Sequence, residues 1–253
     1  GTKVVSVSPD YAESTTSSDA WLNVKAGTDA ALAMAMGHVI LKEYYIDKET
    51  PYFKEYAKEF TDMPFLVRVE DINGAVQPGR FLNAKDLGSK EEGADFQTVL
   101  IDEVTNEIVI PNGTMGDRHT NPQKWNLRLE NRDTGAKIDP RLSVFDQRED
   151  VTVVKLPYFG DEEHEGVIER AIPTITVQTV DGPVKVTTVY DLILANYGID
   201  RGIGGEVATS YTDDTPYTPT WQEKITGVKA DIAIATAREF ADNAEKTKGR
   251  SMI

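Results

Sequence analysis

The chain contains no cysteine. That excludes disulfides, thiolate nucleophiles, zinc–thiolate sites and cysteine-ligated iron–sulfur clusters within these residues. Histidine is scarce too: His38, His119 and His164 are scattered with no His-x-x-x-His pair, which argues against a histidine-rich metal site. No long apolar run is present and Gly1-Thr2-Lys3 is not a signal peptide. Direct membrane insertion is therefore not expected, and a link to a membrane has to come through a partner. Basic residues are outnumbered, 27 Lys and Arg against 42 Asp and Glu. The resulting net charge of −15 disfavours nucleic acid and anionic lipid, both of which need a basic face. Neither a Gly-x-Ser-x-Gly elbow nor a Gly-x-x-x-x-Gly-Lys-Ser/Thr phosphate loop occurs.

What remains is ordinary for a soluble globular chain, with 40% hydrophobic and 27% charged residues. Its 253 residues allow one large domain or two ordinary ones. The most informative stretch is Val4-Val5-Ser6-Val7-Ser8-Pro9-Asp10-Tyr11-Ala12-Glu13, followed by Ala26-Gly27-Thr28-Asp29-Ala30-Ala31-Leu32. A short β-branched strand ends in a turn carrying an acid, and nineteen residues after Asp10 a second acid opens an Ala-rich helix. This layout sets two carboxylates and a helix N-terminus on the carboxyl edge of a parallel sheet, an arrangement that holds nucleotides. The strand starts so near Gly1 that its partner is expected outside the chain, so the chain reads as a piece of something larger.

The expected fold is α/β: a Rossmann-like parallel-sheet portion with helices, interrupted by an irregular strand-and-loop insertion. Residues 1–70 form the nucleotide-binding portion, 71–150 the insertion, and 151–253 the return to α/β. Thr28 or Asp29 caps a helix reaching Tyr44, with Leu32, Met36, Val39 and Ile40 on one face. Its small residues, including Ala35 and Gly37, fit either tight helix–sheet packing or a ligand's close approach. Thr50-Pro51 starts a helix to Phe60, and Phe65–Val69 is a strand. Short segments at Phe96–Ile101, Glu107–Ile110 and Trp125–Glu130 punctuate the insertion, and 85–95 is a mobile surface loop. Val151–Leu156 and Thr174–Val180 are strands, with a turn at Asp181-Gly182 before Lys185–Thr188. Thr187 or Thr188 caps the next helix and Thr218-Pro219 starts another. The last helix, 229–245, has Ile232, Ala235, Thr236 and Phe240 inward. Ser251-Met252-Ile253 reads as the start of a further strand.

For chemistry, Asp10 is compatible with two roles: accepting hydrogen bonds from a ribose or the N1–H and N2–H₂ edge of guanine, or closing an Asx-turn. Asp29 likewise is a nucleotide contact or simply a capping residue. Asp161-Glu162-Glu163-His164-Glu165 lacks the glycine turns of a hard-cation loop and reads as a solvated loop. Gly202-Ile203-Gly204-Gly205 does not follow a strand, and Asn112-Gly113-Thr114 reads as a turn.

The Val4–Glu13 and Ala26–His38 segments resemble the molybdopterin oxidoreductase superfamily, and more narrowly its respiratory nitrate reductase branch. Pro111-Asn112-Gly113, Pro157-Tyr158-Phe159-Gly160, Thr187–Leu192, Tyr217-Thr218-Pro219-Thr220-Trp221, Ile225–Val228, Ala237–Ala244 and Gly249–Ile253 agree. The resemblance implies a catalytic α subunit that reduces nitrate and holds molybdenum on two molybdopterin guanine dinucleotides. Ser8, Pro9, Asp10, Tyr11 and Ala12 would line one guanosine or pyrophosphate pocket, completed by Gly27, Thr28 and Asp29. It further implies a 4Fe–4S cluster and a metal ligand outside this fragment, leaving no catalytic or metal-binding residue within it. The implied partners are an iron–sulfur β subunit and a quinol-oxidising cytochrome b subunit, placing the complex at the cytoplasmic face of the bacterial membrane. Related formate, selenate or chlorate enzymes, and a stand-alone nucleotide-binding module, remain open at this point.

Overall fold

The computed structural model describes residues 1–113, 128–158 and 166–253. His119, Thr114, the first half of the Trp125–Glu130 segment, Phe159-Gly160 and the Asp161–Glu165 run lie outside the described residues. In chain order, β1 (Val5–Val7) is followed by one helical turn, α1 (Glu13–Thr16), and by β2 (Ala20–Leu22). α2 (Asp29–Ile40) runs on into a π-helical segment, Leu41–Asp47, and α3 (Pro51–Phe60) begins after Thr50. Then come β3 (Leu66–Ile72), β4 (Ala75–Phe81), β5 (Leu100–Ile101), β6 (Ile108–Val109), β7 (Pro111–Asn112) and β8 (Arg128–Asn131). β9 (Asp150–Pro157), β10 (Val167–Thr179) and β11 (Gly182–Thr188) lead to α4 (Val189–Asn196), α5 (Pro219–Thr226) and α6 (Ala230–Thr247). Contacts divide the chain into two compact units: Gly1–Thr50 with Tyr197–Arg201 and Glu206–Ile253, and Pro51–Asn196 with Gly202–Gly205.

In the first unit β1 and β2 pair in parallel, Val5 opposite Ala20 and Val7 opposite Leu22. The expectation that the partner of β1 lies outside the chain is thus corrected. Ala20-Trp21-Leu22 is too short to show a period in the sequence, and the polar residues before it disguise it. Leu22, Val24, Leu32, Val228 and Ala233 form the core, with Val5 and Met36 against it. α6 buries Ala233, Ala237, Ala241 and Ala244 rather than the expected Ile232 face, and Ile232 is 45% exposed. The alanine stripe wins because α2 lies against α6, and small side chains let two helix backbones approach closely. Gly37 serves packing as well: a Cβ there would strike the ring of Tyr197.

The second unit is built on a five-stranded antiparallel sheet, ordered β4-β3-β11-β10-β9. It curls until its edge strands β4 and β9 approach one another. Asn73 and Gly74 both have positive φ, 58° and 82°, which fits the tight hairpin between β3 and β4. Leu66, Leu82, Val99, Ile101, Val144, Val177 and Val186 fill its core. The mixed α/β class is as read from the sequence. Among the described residues, however, parallel pairing is limited to β1 with β2 and one isolated bridge between Ile199 and Ala208, and the larger sheet is antiparallel. The 85–95 segment is anchored rather than free-standing: Asp86, 5% exposed, accepts bonds from Arg68, Arg80 and the Asn83 N–H.

Candidate functional site

Two parallel strands carry their C-terminal ends in the same direction, so whatever follows each strand emerges on one edge. After β1 comes the loop Ser8–Ala12, and the backbone N–H of Ser8 donates to the Leu22 carbonyl at 3.2 Å. After β2 the chain passes through Val24 and Lys25 into the Gly27-Thr28 turn that opens α2. The Lys25 N–H donates to Thr226 O at 2.9 Å, tying this passage to the end of α5. Both predicted groups, Ser8–Ala12 and Gly27–Asp29, therefore stand at the same end of the strand pair.

Within the first group, the Ser8 hydroxyl closes the loop. It donates to Asp10 O at 2.9 Å and to Asp10 Oδ1 at 3.2 Å, and accepts from the Asp10 N–H at 3.4 Å. The serine makes the turn, so the second carboxylate oxygen of Asp10 is left without a partner among the described residues. Pro9, Asp10, Tyr11 and Ala12 are exposed.

The second group departs from the sequence expectation in one respect. Thr28 occupies the N-cap position, but its hydroxyl donates to Lys25 O at 2.6 Å and caps nothing. The backbone N–H groups of Asp29 and Ala30 consequently carry no hydrogen bond among the described residues. Asp29 itself is exposed, with its carboxylate unpartnered. Gly27 has φ +78°, which glycine adopts freely, and a Cβ there would meet nothing within 4 Å. The edge thus offers two open carboxylates, two uncapped helix N–H groups and a turn with room above it. That donor and acceptor set fits a nucleotide, whose pyrophosphate takes N–H donors and whose base and ribose take carboxylates.

Sequence reasoning missed Trp21, whose Nε1 donates to Ser8 O at 2.9 Å. It also missed a cluster at the far end of α2. There Glu43 accepts Arg238 Nε at 3.0 Å, Arg238 Nη2 at 2.6 Å and the Tyr211 hydroxyl at 2.9 Å. Burial pushes the Glu43 carboxyl up, but Arg238 and Tyr211 outweigh it and hold it below the ordinary range. Burial and the Glu43 carboxylate push the Tyr211 hydroxyl up. Lys42 pairs with Asp47 at 2.5 Å, and Lys48 lies 3.8 Å over the Tyr44 ring. His38 is buried with Nδ1 2.6 Å from Tyr197 O. Each charge in this cluster answers another, so it reads as a structural network.

The molybdopterin oxidoreductase family profile matches residues 1–248. The chain belongs to the molybdopterin oxidoreductase family. This membership implies a molybdenum–pterin cofactor, in keeping with the resemblance of the Val4–Glu13 and Ala26–His38 segments. The nitrate reductase alpha chain of Bacillus subtilis (strain 168) is 49% identical over 253 residues, covering 100% of this chain and 20% of that protein. The respiratory nitrate reductase 1 alpha chain of Escherichia coli (strain K12) is 45% identical over 266 residues, with 100% and 21% covered. The perchlorate reductase subunit alpha of Dechloromonas aromatica (strain RCB) is 38% identical over 121 residues, with 47% and 11% covered. The chain spans about a fifth of the length of the nitrate reductase chains it matches. No helix among the described residues is long and apolar enough to cross a membrane.

Proposed function

We propose that this molybdopterin oxidoreductase segment forms part of the cradle for a molybdopterin guanine dinucleotide in the catalytic subunit of a nitrate reductase. The observation that carries the proposal is the parallel pairing of β1 and β2, from whose shared C-terminal edge the chain runs on to Asp10 and, through the Gly27 turn, to Asp29 and the uncapped N–H groups of α2. In this reading Asp10 and Asp29 accept the N1–H and N2–H₂ edge of guanine or the ribose hydroxyls. The N–H groups of Asp29 and Ala30 donate to the pyrophosphate, aided by the positive end of the helix. Gly27 and Thr28 leave the phosphates room to approach, while Ser8, Pro9, Tyr11 and Ala12 wall the pocket. When bound, such a cofactor supplies the two-electron chemistry by which nitrate, two protons and two electrons give nitrite and water. The chain's own part is to bind and orient, and no catalytic or metal-binding residue is assigned within it.

Nitrate is favoured over related oxyanions because likeness to nitrate reductase chains covers the whole of this chain, whereas the perchlorate enzyme covers under half. The 4Fe–4S cluster, the iron–sulfur β subunit, the quinol-oxidising cytochrome b subunit and a place at the cytoplasmic face of the membrane belong to the same proposal. Its test is cofactor content and nitrate reduction in a full-length subunit carrying Asp10→Ala and Asp29→Ala. Lowered guanine dinucleotide content supports the cradle. Normal content together with normal activity removes it.

A further inference from the structure

We propose that Tyr11, held in place by Trp21, is the surface on which the guanine base stacks; this rests on the cradle reading above. Trp21 lies on β2 opposite Ser6 of β1, and its indole N–H reaches across to the Ser8 carbonyl at 2.9 Å. Its ring meets that of Tyr11 edge-to-face, with centroids 5.2 Å apart and planes at 69°. One tryptophan therefore fixes both the start of the Ser8–Ala12 loop and the aromatic side chain within it. Yet Tyr11 is 62% exposed and Trp21 37% exposed, so this aromatic pair presents ring surface to solvent instead of filling the core. Asp10, with its open carboxylate oxygen, is the residue next to Tyr11.

The physical need is specific. A forked carboxylate–guanine pair in open water gains little, because water competes for the same donors. An aromatic ring against one face of the base excludes that water and adds stacking, which every flat base can accept. A ring already fixed by its neighbours loses little freedom when the base arrives. Tyr11 supplies the ring and Trp21 is the positioning residue.

The experiment is titration of the 253-residue chain with GMP and with ribose 5-phosphate, which shares the phosphate and sugar but has no base. GMP is expected to bind more tightly than ribose 5-phosphate. Tyr11→Phe should keep GMP affinity within about twofold, and Tyr11→Ala should weaken it about tenfold, leaving ribose 5-phosphate unaffected. Trp21→Ala should act like Tyr11→Ala, and Trp21→Phe, which keeps the edge contact, should restore much of the preference for GMP. A variant that merely unfolds the loop lowers both ligands together, so the ratio of the two affinities separates stacking from structure. GMP affinity unchanged in Tyr11→Ala and Trp21→Ala but lost in Asp10→Ala overturns the stacking role and leaves the cradle standing. GMP binding indifferent to Asp10→Ala and Asp29→Ala overturns both.

Discussion

The backbone N–H of Ser8 donates to the carbonyl of Leu22, extending the parallel pairing one residue beyond β1. This bond fixes where the Ser8–Ala12 loop leaves the strand, and so sets Asp10 at the edge from which Gly27 and Asp29 also emerge. Local turn chemistry, short-range pairing and a helix terminus meet there, and the proposed cradle rests on that meeting.

Gly37 should be intolerant of a side chain. A Cβ at this position falls on the Tyr197 ring, which itself packs edge-on against Tyr217 with centroids 6.2 Å apart. Gly37→Ala is expected to destabilise the chain by about 1–3 kcal/mol, the usual range for overpacking. A lowered urea midpoint with unchanged slope checks this, and an unchanged midpoint contradicts it.

Asp191, 1% exposed, organises a buried junction. It accepts from Ser143 Oγ at 2.6 Å, from the Val144 N–H at 2.9 Å and from Thr188 Oγ1 at 2.9 Å, while its own N–H donates back to Thr188 Oγ1 at 3.0 Å. Asp191→Ala strands these donors away from water, and each unsatisfied one is costly. A loss of about 3 kcal/mol or more in urea unfolding is expected. A change smaller than that of Gly37→Ala speaks against the junction's importance.

Much of this was legible in the sequence, for local reasons. Thr50-Pro51 and Thr218-Pro219 start α3 and α5 as read, and Thr218 Oγ1 accepts from the Trp221 N–H at 3.1 Å. The local settings of the two proposed acids were legible too, because an acid after a β-branched run and an acid at a helix start are both local patterns. What escaped reading depends on distant residues. Trp21 becomes part of the loop only through its bond to Ser8, thirteen residues earlier. β10 begins seven residues before the expected Thr174 start and runs through Pro173. The inward face of α6 follows the closeness of α2 rather than its own largest side chains, and no periodicity in α6 alone reveals that.

Acid should weaken the Glu43 network. Its carboxyl lies below the ordinary value of 4.5 in the folded chain, so the unfolded chain binds the proton more readily. The stabilisation is therefore complete above that ordinary value and is lost as pH falls through the lower folded value. Urea midpoints from about pH 6 to about pH 3 should show the parent chain losing its advantage over Glu43→Gln, the two converging at the acid end. A gap that persists or widens at low pH contradicts this.

The most direct test of the central claim is calorimetric titration of the chain with GDP, beside Asp10→Ala, Asp29→Ala and an ADP control. The account predicts GDP binding that falls at least about tenfold in each variant, with ADP bound more weakly than GDP, because only guanine offers the N1–H and N2–H₂ pair to a carboxylate. Equal binding of GDP and ADP, or GDP binding unchanged by both substitutions, would contradict it.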